Sequence, residues 1–108
     1  MAEERKQTNP IACDLTVLDD REAHERVARK IFEGYTDVRE LSDGYALQFR
    51  GFDWAEDLLA FIAGERQCCP FLTFELAFPP DDGPVWLRLR GSEEIKLFLQ
   101  QNANLQRT

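Results

Sequence analysis

Cys68 and Cys69 stand side by side in the run Glu65-Arg66-Gln67-Cys68-Cys69-Pro70-Phe71-Leu72. Adjacent thiols suit a soft metal ion or thiol–disulfide chemistry, because the thiolate is both a nucleophile and a soft ligand. They could also close on each other as a vicinal disulfide, a strained and labile ring. Pro70 disfavours helical dihedrals at Cys69, so the pair marks the end of a helix over residues 54–68. At about 100° per residue, Trp54, Leu58, Phe61 and Ile62 share one sector of that helix. Glu65 falls in the middle of this apolar sector, Cys69 beside it and Cys68 at its edge. A carboxylate there is costly unless something pairs with it. Glu65 therefore either reaches solvent or an arginine at the helix end, or acts beside the thiols as a ligand or proton carrier.

Cys13 lies on the inward face of an alternating stretch, residues 11–18, that reads as a first strand. A lone inward cysteine is ordinarily a small hydrophobe. The strand rises ~3.3 Å per residue and a helix ~1.5 Å. If both helices run against this strand, the end of the second one comes level with Cys13. Three thiols then meet, with Glu65 one turn away. The same arithmetic sets His24 apart. It faces inward with Val27, Ala28 and Ile31, but only one turn into the first helix, at the end away from Cys13. It reads as a core-edge histidine and a secondary candidate.

The expected electrostatics favour a cation over a nucleophile. A helix C-terminus carries partial negative charge and Glu65 adds to it, which disfavours a thiolate unless a cation is bound. Thiolate and carboxylate together suit Zn(II), Cu(I) or a thiophilic ion such as Hg(II). Adjacent cysteines fit a low-coordinate soft ion more readily than two tetrahedral positions on a small one. The residues do not decide whether the chain is an enzyme, but they rank binding above catalysis. Phosphate loops, HExxH helices and GxSxG elbows are absent from the sequence.

The elements that must position these residues follow from periodicity. Asp19 with Glu22 is a capping pattern for a helix ending at Gly34, and Asp53 with Glu56 repeats it for the second helix. Residues 35–41, 45–49, 72–78 and 85–90 read as strands. Residues 79–84 form a breaker-rich turn, and Ser92 with Glu93 and Glu94 opens a last helix. The order β-α-β-β-α-β-β-α predicts an α+β two-layer sandwich: a mostly antiparallel sheet, helices on one face, and a ferredoxin-like core. Trp86 shares the outward face with Arg88 and Arg90, which suggests a homodimer through the sheet.

The chain has 108 residues, with 13 basic against 20 acidic side chains and a net charge of -7. That length fits one domain over residues 10–103, with a loose tail at 1–9 and a frayed end at 104–108. The acidic balance argues against nucleic acid and anionic membrane partners. No apolar run approaches a membrane span, and residues 1–10 lack a signal-peptide core. Three cysteines fit a thiol protein of a reducing cytoplasm better than a disulfide scaffold.

The segment from Glu65 to Leu76 resembles the ExxCCPFxxFxL segment of a small bacterial family, and residues 10–16 are similar to that family's opening strand. Similar segments occur as extra domains behind MerR-type heavy-metal regulators. The resemblance spans residues 10–100 and implies a heavy-metal-related role, with Cys13, Glu65, Cys68 and Cys69 at the family-like positions. The chain lacks the DNA-binding part of a regulator. Three readings follow: a soft-metal-binding protein using Cys68, Cys69, Cys13 and Glu65; a thiol oxidoreductase with Cys69 as nucleophile; and a structural or interaction domain with buried cysteines.

Overall fold

A computed structural model describes residues 15–51 and 53–102. Cys13, the first half of the expected first strand and both expected tails lie outside them. A 3-10 turn at Leu15–Val17 leads into helix α1, Arg21–Gly34. Strands β1, Asp37–Leu41, and β2, Gly44–Phe49, form a hairpin. Helix α2, Trp54–Cys68, follows, then β3, Thr73–Ala77, and β4, Val85–Arg90. Helix α3, Glu93–Asn102, is the last element among the described residues. The four strands form one antiparallel sheet in the order β1-β2-β4-β3. The fold is α+β, with the helices packed on one face of the sheet.

Alternation explains that packing. Val85, Leu87 and Leu89 of β4 are buried, and Leu87 pairs with Leu47 and with Leu76 across the two neighbouring strands. Period-2 side chains from β2, β3 and β4 thus build one apolar face. Onto it pack Ile31 of α1, Leu58 and Phe61 of α2, and Ile95 and Leu99 of α3. The opposite face carries Gln48, Trp86, Arg88 and Arg90. The Arg39 guanidinium lies 5.1 Å over the Trp86 ring there. Arg90 reaches Glu75 at 2.9 Å and Asp43 at 2.7 Å, and Glu75 first and Asp43 second hold its pKa above the ordinary arginine range.

The local signals differ from expectation at three points. Leu15–Val17, read as strand, is a 3-10 turn. The α1 cap is Asp20 rather than Asp19: its Oδ1 accepts from the Ala23 N–H at 3.0 Å. Asp53 occupies the cap position of α2 in a helical conformation and makes no side-chain cap bond. Ser92 does cap α3, its Oγ accepting from the Ile95 N–H at 3.3 Å. Among the described residues, no helix is long and apolar enough to cross a membrane.

Candidate metal centre

Helices α1 and α2 lie antiparallel, as three contacts show. His24 meets Glu65, Lys30 Nζ meets Asp57 Oδ2 at 2.6 Å, and Gly34 lies against Trp54. The two numbers in each pair sum to nearly the same value, the mark of two chains running in opposite directions. Glycine permits the approach at both ends. A Cβ on Gly34 would run into the Trp54 ring, and one on Gly64 into the His24 imidazole. The first turn of α1 therefore sits against the last turn of α2.

This corrects the reading of His24 as remote from the chemistry. The expected geometry measured both helices against a first strand, whereas the contact that matters is helix to helix. His24 Nε2 lies 2.7 Å from Glu65 Oε2. An ionised carboxylate only accepts, so the imidazole N–H is the donor. The ring also stacks on Phe61, with centroids 6.1 Å apart and planes 12° from parallel. Phe61, Gly64 and Glu65 fix it from three sides. The His24 and Glu65 side chains are only 7% and 15% exposed, so both are largely withdrawn from water.

Glu65 is the hub. Besides the imidazole, Oε2 accepts a long contact from Cys68 Sγ at 3.9 Å. Positions i and i+3 of one helix share a face, which puts the thiol beside the carboxylate. The paired arginine considered for Glu65 is therefore replaced by a histidine. Donor atoms of His24, Glu65 and Cys68 all lie within 4.8 Å of one another. This is a largely buried nitrogen, oxygen and sulfur cluster able to chelate a metal ion.

Cys69 sits next to the cluster in a different covalent state. Its sulfur is disulfide-bonded, whereas Cys68 is a thiol. The two sulfurs are 3.7 Å apart, so the adjacent pair is not joined as a vicinal disulfide. The three-donor set thus contains one cysteine rather than the expected pair. Cys69 is the C-cap of α2, with φ -131° and ψ 67°, and its N–H donates to the Glu65 carbonyl at 2.6 Å. Leaving the helical path at that residue turns its side chain back toward Cys68, instead of about 100° further round the helix. Of the four sequence-nominated ligands, the fold brings Glu65 and Cys68 together, keeps Cys69 alongside in a disulfide, and leaves Cys13 outside the described residues.

Sequence reasoning kept His24 only as a secondary candidate, though two signals for it exist. One is an inward histidine on an apolar stripe. The other is a glycine inside the second helix, immediately before an inward glutamate. Comparison with known proteins found no matching family model, curated protein or solved structure.

Proposed function

We propose that this protein binds a transition-metal ion at His24, Glu65 and Cys68, and that Zn(II) is the ion its donors suit best. The observation that supports this reading is the convergence of three different ligand atoms within 4.8 Å. One imidazole nitrogen, one carboxylate oxygen and one thiolate sulfur match a borderline divalent ion. Cu(I) and Hg(II) draw most of their affinity from sulfur and gain less from His24 and Glu65. The heavy-metal relationship implied by the ExxCCPF resemblance agrees with a metal-binding role in kind.

The cluster's dimensions need only local adjustment. With Zn–N and Zn–O bonds of ~2.0 Å, the nitrogen–oxygen edge of a tetrahedron is ~3.3 Å. The 2.7 Å hydrogen bond between His24 and Glu65 opens by about half an ångström when a cation replaces its proton. The sulfur–oxygen edge is ~3.5 Å in such a site, against 3.9 Å between Cys68 and Glu65 here.

Titration with Zn(II), Cu(I) and Hg(II), followed by mass spectrometry under non-denaturing conditions, tests the proposal. One Zn(II) per chain is expected. His24→Ala, Glu65→Gln and Cys68→Ser should each weaken binding by more than the ~10–100-fold typical of losing an outer-sphere partner. Zinc affinity unchanged in all three variants would overturn the reading.

A thiol oxidoreductase with Cys69 as nucleophile has less support. Cys69 is held in a disulfide, and Cys68 and Cys69 are 1% and 0% exposed. Neither sulfur is presented to a bulky substrate.

A further inference from the structure

The disulfide at Cys69 acquires a meaning when its sulfur is measured against the three-donor cluster. Two thiolates bound to one tetrahedral zinc at ~2.3 Å each are separated by ~3.8 Å. The Cys68 and Cys69 sulfurs are 3.7 Å apart. Cys69 Sγ therefore lies at the spacing that a second sulfur ligand requires relative to the first. In its disulfide state it cannot serve as one: a disulfide sulfur carries no charge, and the thiolate is the metal ligand.

We propose that Cys69 is a redox-gated fourth ligand of the His24–Glu65–Cys68 centre, an inference that rests on the metal-binding reading. In the oxidised protein the ion has three protein ligands and one open position. In the reduced protein Cys69 closes the shell as His/Glu/Cys2. Closed four-ligand sites hold zinc structurally, and three-ligand sites keep a position for exchange. The switch thus sets whether the ion is retained or available.

The chemistry balances with a dithiol as reductant. Its two S–H bonds break and its own disulfide forms. Its two electrons cleave the Cys69 S–S bond, and its two protons pass to Cys69 and the partner sulfur. The Cys69 proton leaves for solvent as the thiolate meets the ion. Oxidation by a small-molecule disulfide runs the step backwards: two electrons leave the two cysteine sulfurs, their bond re-forms, and the oxidant becomes two thiols. The chain has three cysteines and Cys68 is a thiol. The chain's third cysteine is Cys13, and its removal tests whether the gate depends on it.

The test is Zn(II) titration of the full chain against a chromophoric chelator, comparing oxidised protein with protein reduced by a phosphine and desalted without oxygen. Reduction should tighten binding by ~100-fold or more, beyond what outer-sphere changes give. Co(II) loaded in place of zinc should show stronger thiolate charge-transfer absorption in the reduced protein, because a second thiolate joins the first. Cys13→Ser should bind tightly without reductant. The double variant Cys13→Ser/Cys69→Ser should bind weakly under both conditions. Equal affinity and equal Co(II) spectra for oxidised and reduced wild type, with His24→Ala still abolishing binding, would overturn the gate and leave the metal centre standing. Binding that ignores His24, Glu65 and Cys68 in both redox states would remove the centre itself. If Cys13→Ser does not fold, the wild-type comparison decides alone.

Discussion

The carboxylate of Glu65 has one strong partner, and removing that partner exposes what it does. In His24→Ala, Glu65 loses the 2.7 Å hydrogen bond and Phe61 loses the ring stacked on it. A largely buried acceptor left without its donor costs ~1–3 kcal/mol. Urea denaturation should show a loss of that size, while Glu65→Gln, which keeps a hydrogen-bonding group, should lose less. A second prediction concerns protons. Zinc takes Cys68 as the thiolate and His24 as neutral imidazole, whose ring proton moves to the other nitrogen, so zinc binding should release about one proton per ion. Calorimetry in buffers of different ionisation enthalpy measures that number. The sign follows: protons compete with the metal, so affinity rises with pH. Release near zero would mean the ion sits elsewhere. Two of the three ligands were legible in the sequence. Glu65 and Cys68 share a helix, and their i,i+3 spacing announces itself. His24 is 41 positions away, and no periodicity says which ends of two helices will meet.

At the scale of elements, the α1–α2 pairing rests on small residues at both of its ends. An alanine in a helix interior is ordinarily worth ~1 kcal/mol more than glycine. Here the added methyl collides with Trp54 at position 34 and with His24 at position 64. Overpacking of this kind costs ~1–3 kcal/mol, so Gly34→Ala and Gly64→Ala should both destabilise. The two should then diverge. Gly64→Ala pushes the imidazole off Glu65 and should weaken zinc binding, whereas Gly34→Ala acts at the far end and should leave affinity near wild type. Equal effects on affinity would detach the site from the helix pairing. The element boundaries themselves were readable where a strong local rule operates. Pro70 ended α2 where expected, Ser92 opened α3, and strict alternation marked β4. Leu15–Val17 escaped because three apolar-alternating residues carry too little information to separate a strand from a 3-10 turn. Gly34 reads as a helix stop from sequence, yet it is the last helical residue and serves the Trp54 contact.

At the scale of the whole molecule, the sheet order β1-β2-β4-β3 was beyond the sequence, because every strand pattern fits several neighbours. The antiparallel character and the single helical face were within it, because hairpin turns and one-sided alternation leave few other arrangements. The site joins two helices of that layer, so an ion bound there grips α1 and α2 together and has no equivalent in the unfolded chain. Ligand binding to the folded state alone stabilises by ~2.7 kcal/mol when free ligand is a hundredfold above its dissociation constant. For a domain of this size that corresponds to a rise of about 10 °C in melting temperature. Saturating Zn(II) should produce a rise of this order, and a chelator should reverse it. Lys30→Ala supplies the control at the other end of the same helix pair. It removes an exposed ion pair to Asp57 worth no more than ~1 kcal/mol, so it should lower the starting temperature slightly and keep the full zinc-dependent rise. His24→Ala should start lower and gain nothing from zinc. A rise retained in His24→Ala would show that the ion stabilises the fold without bridging these two helices.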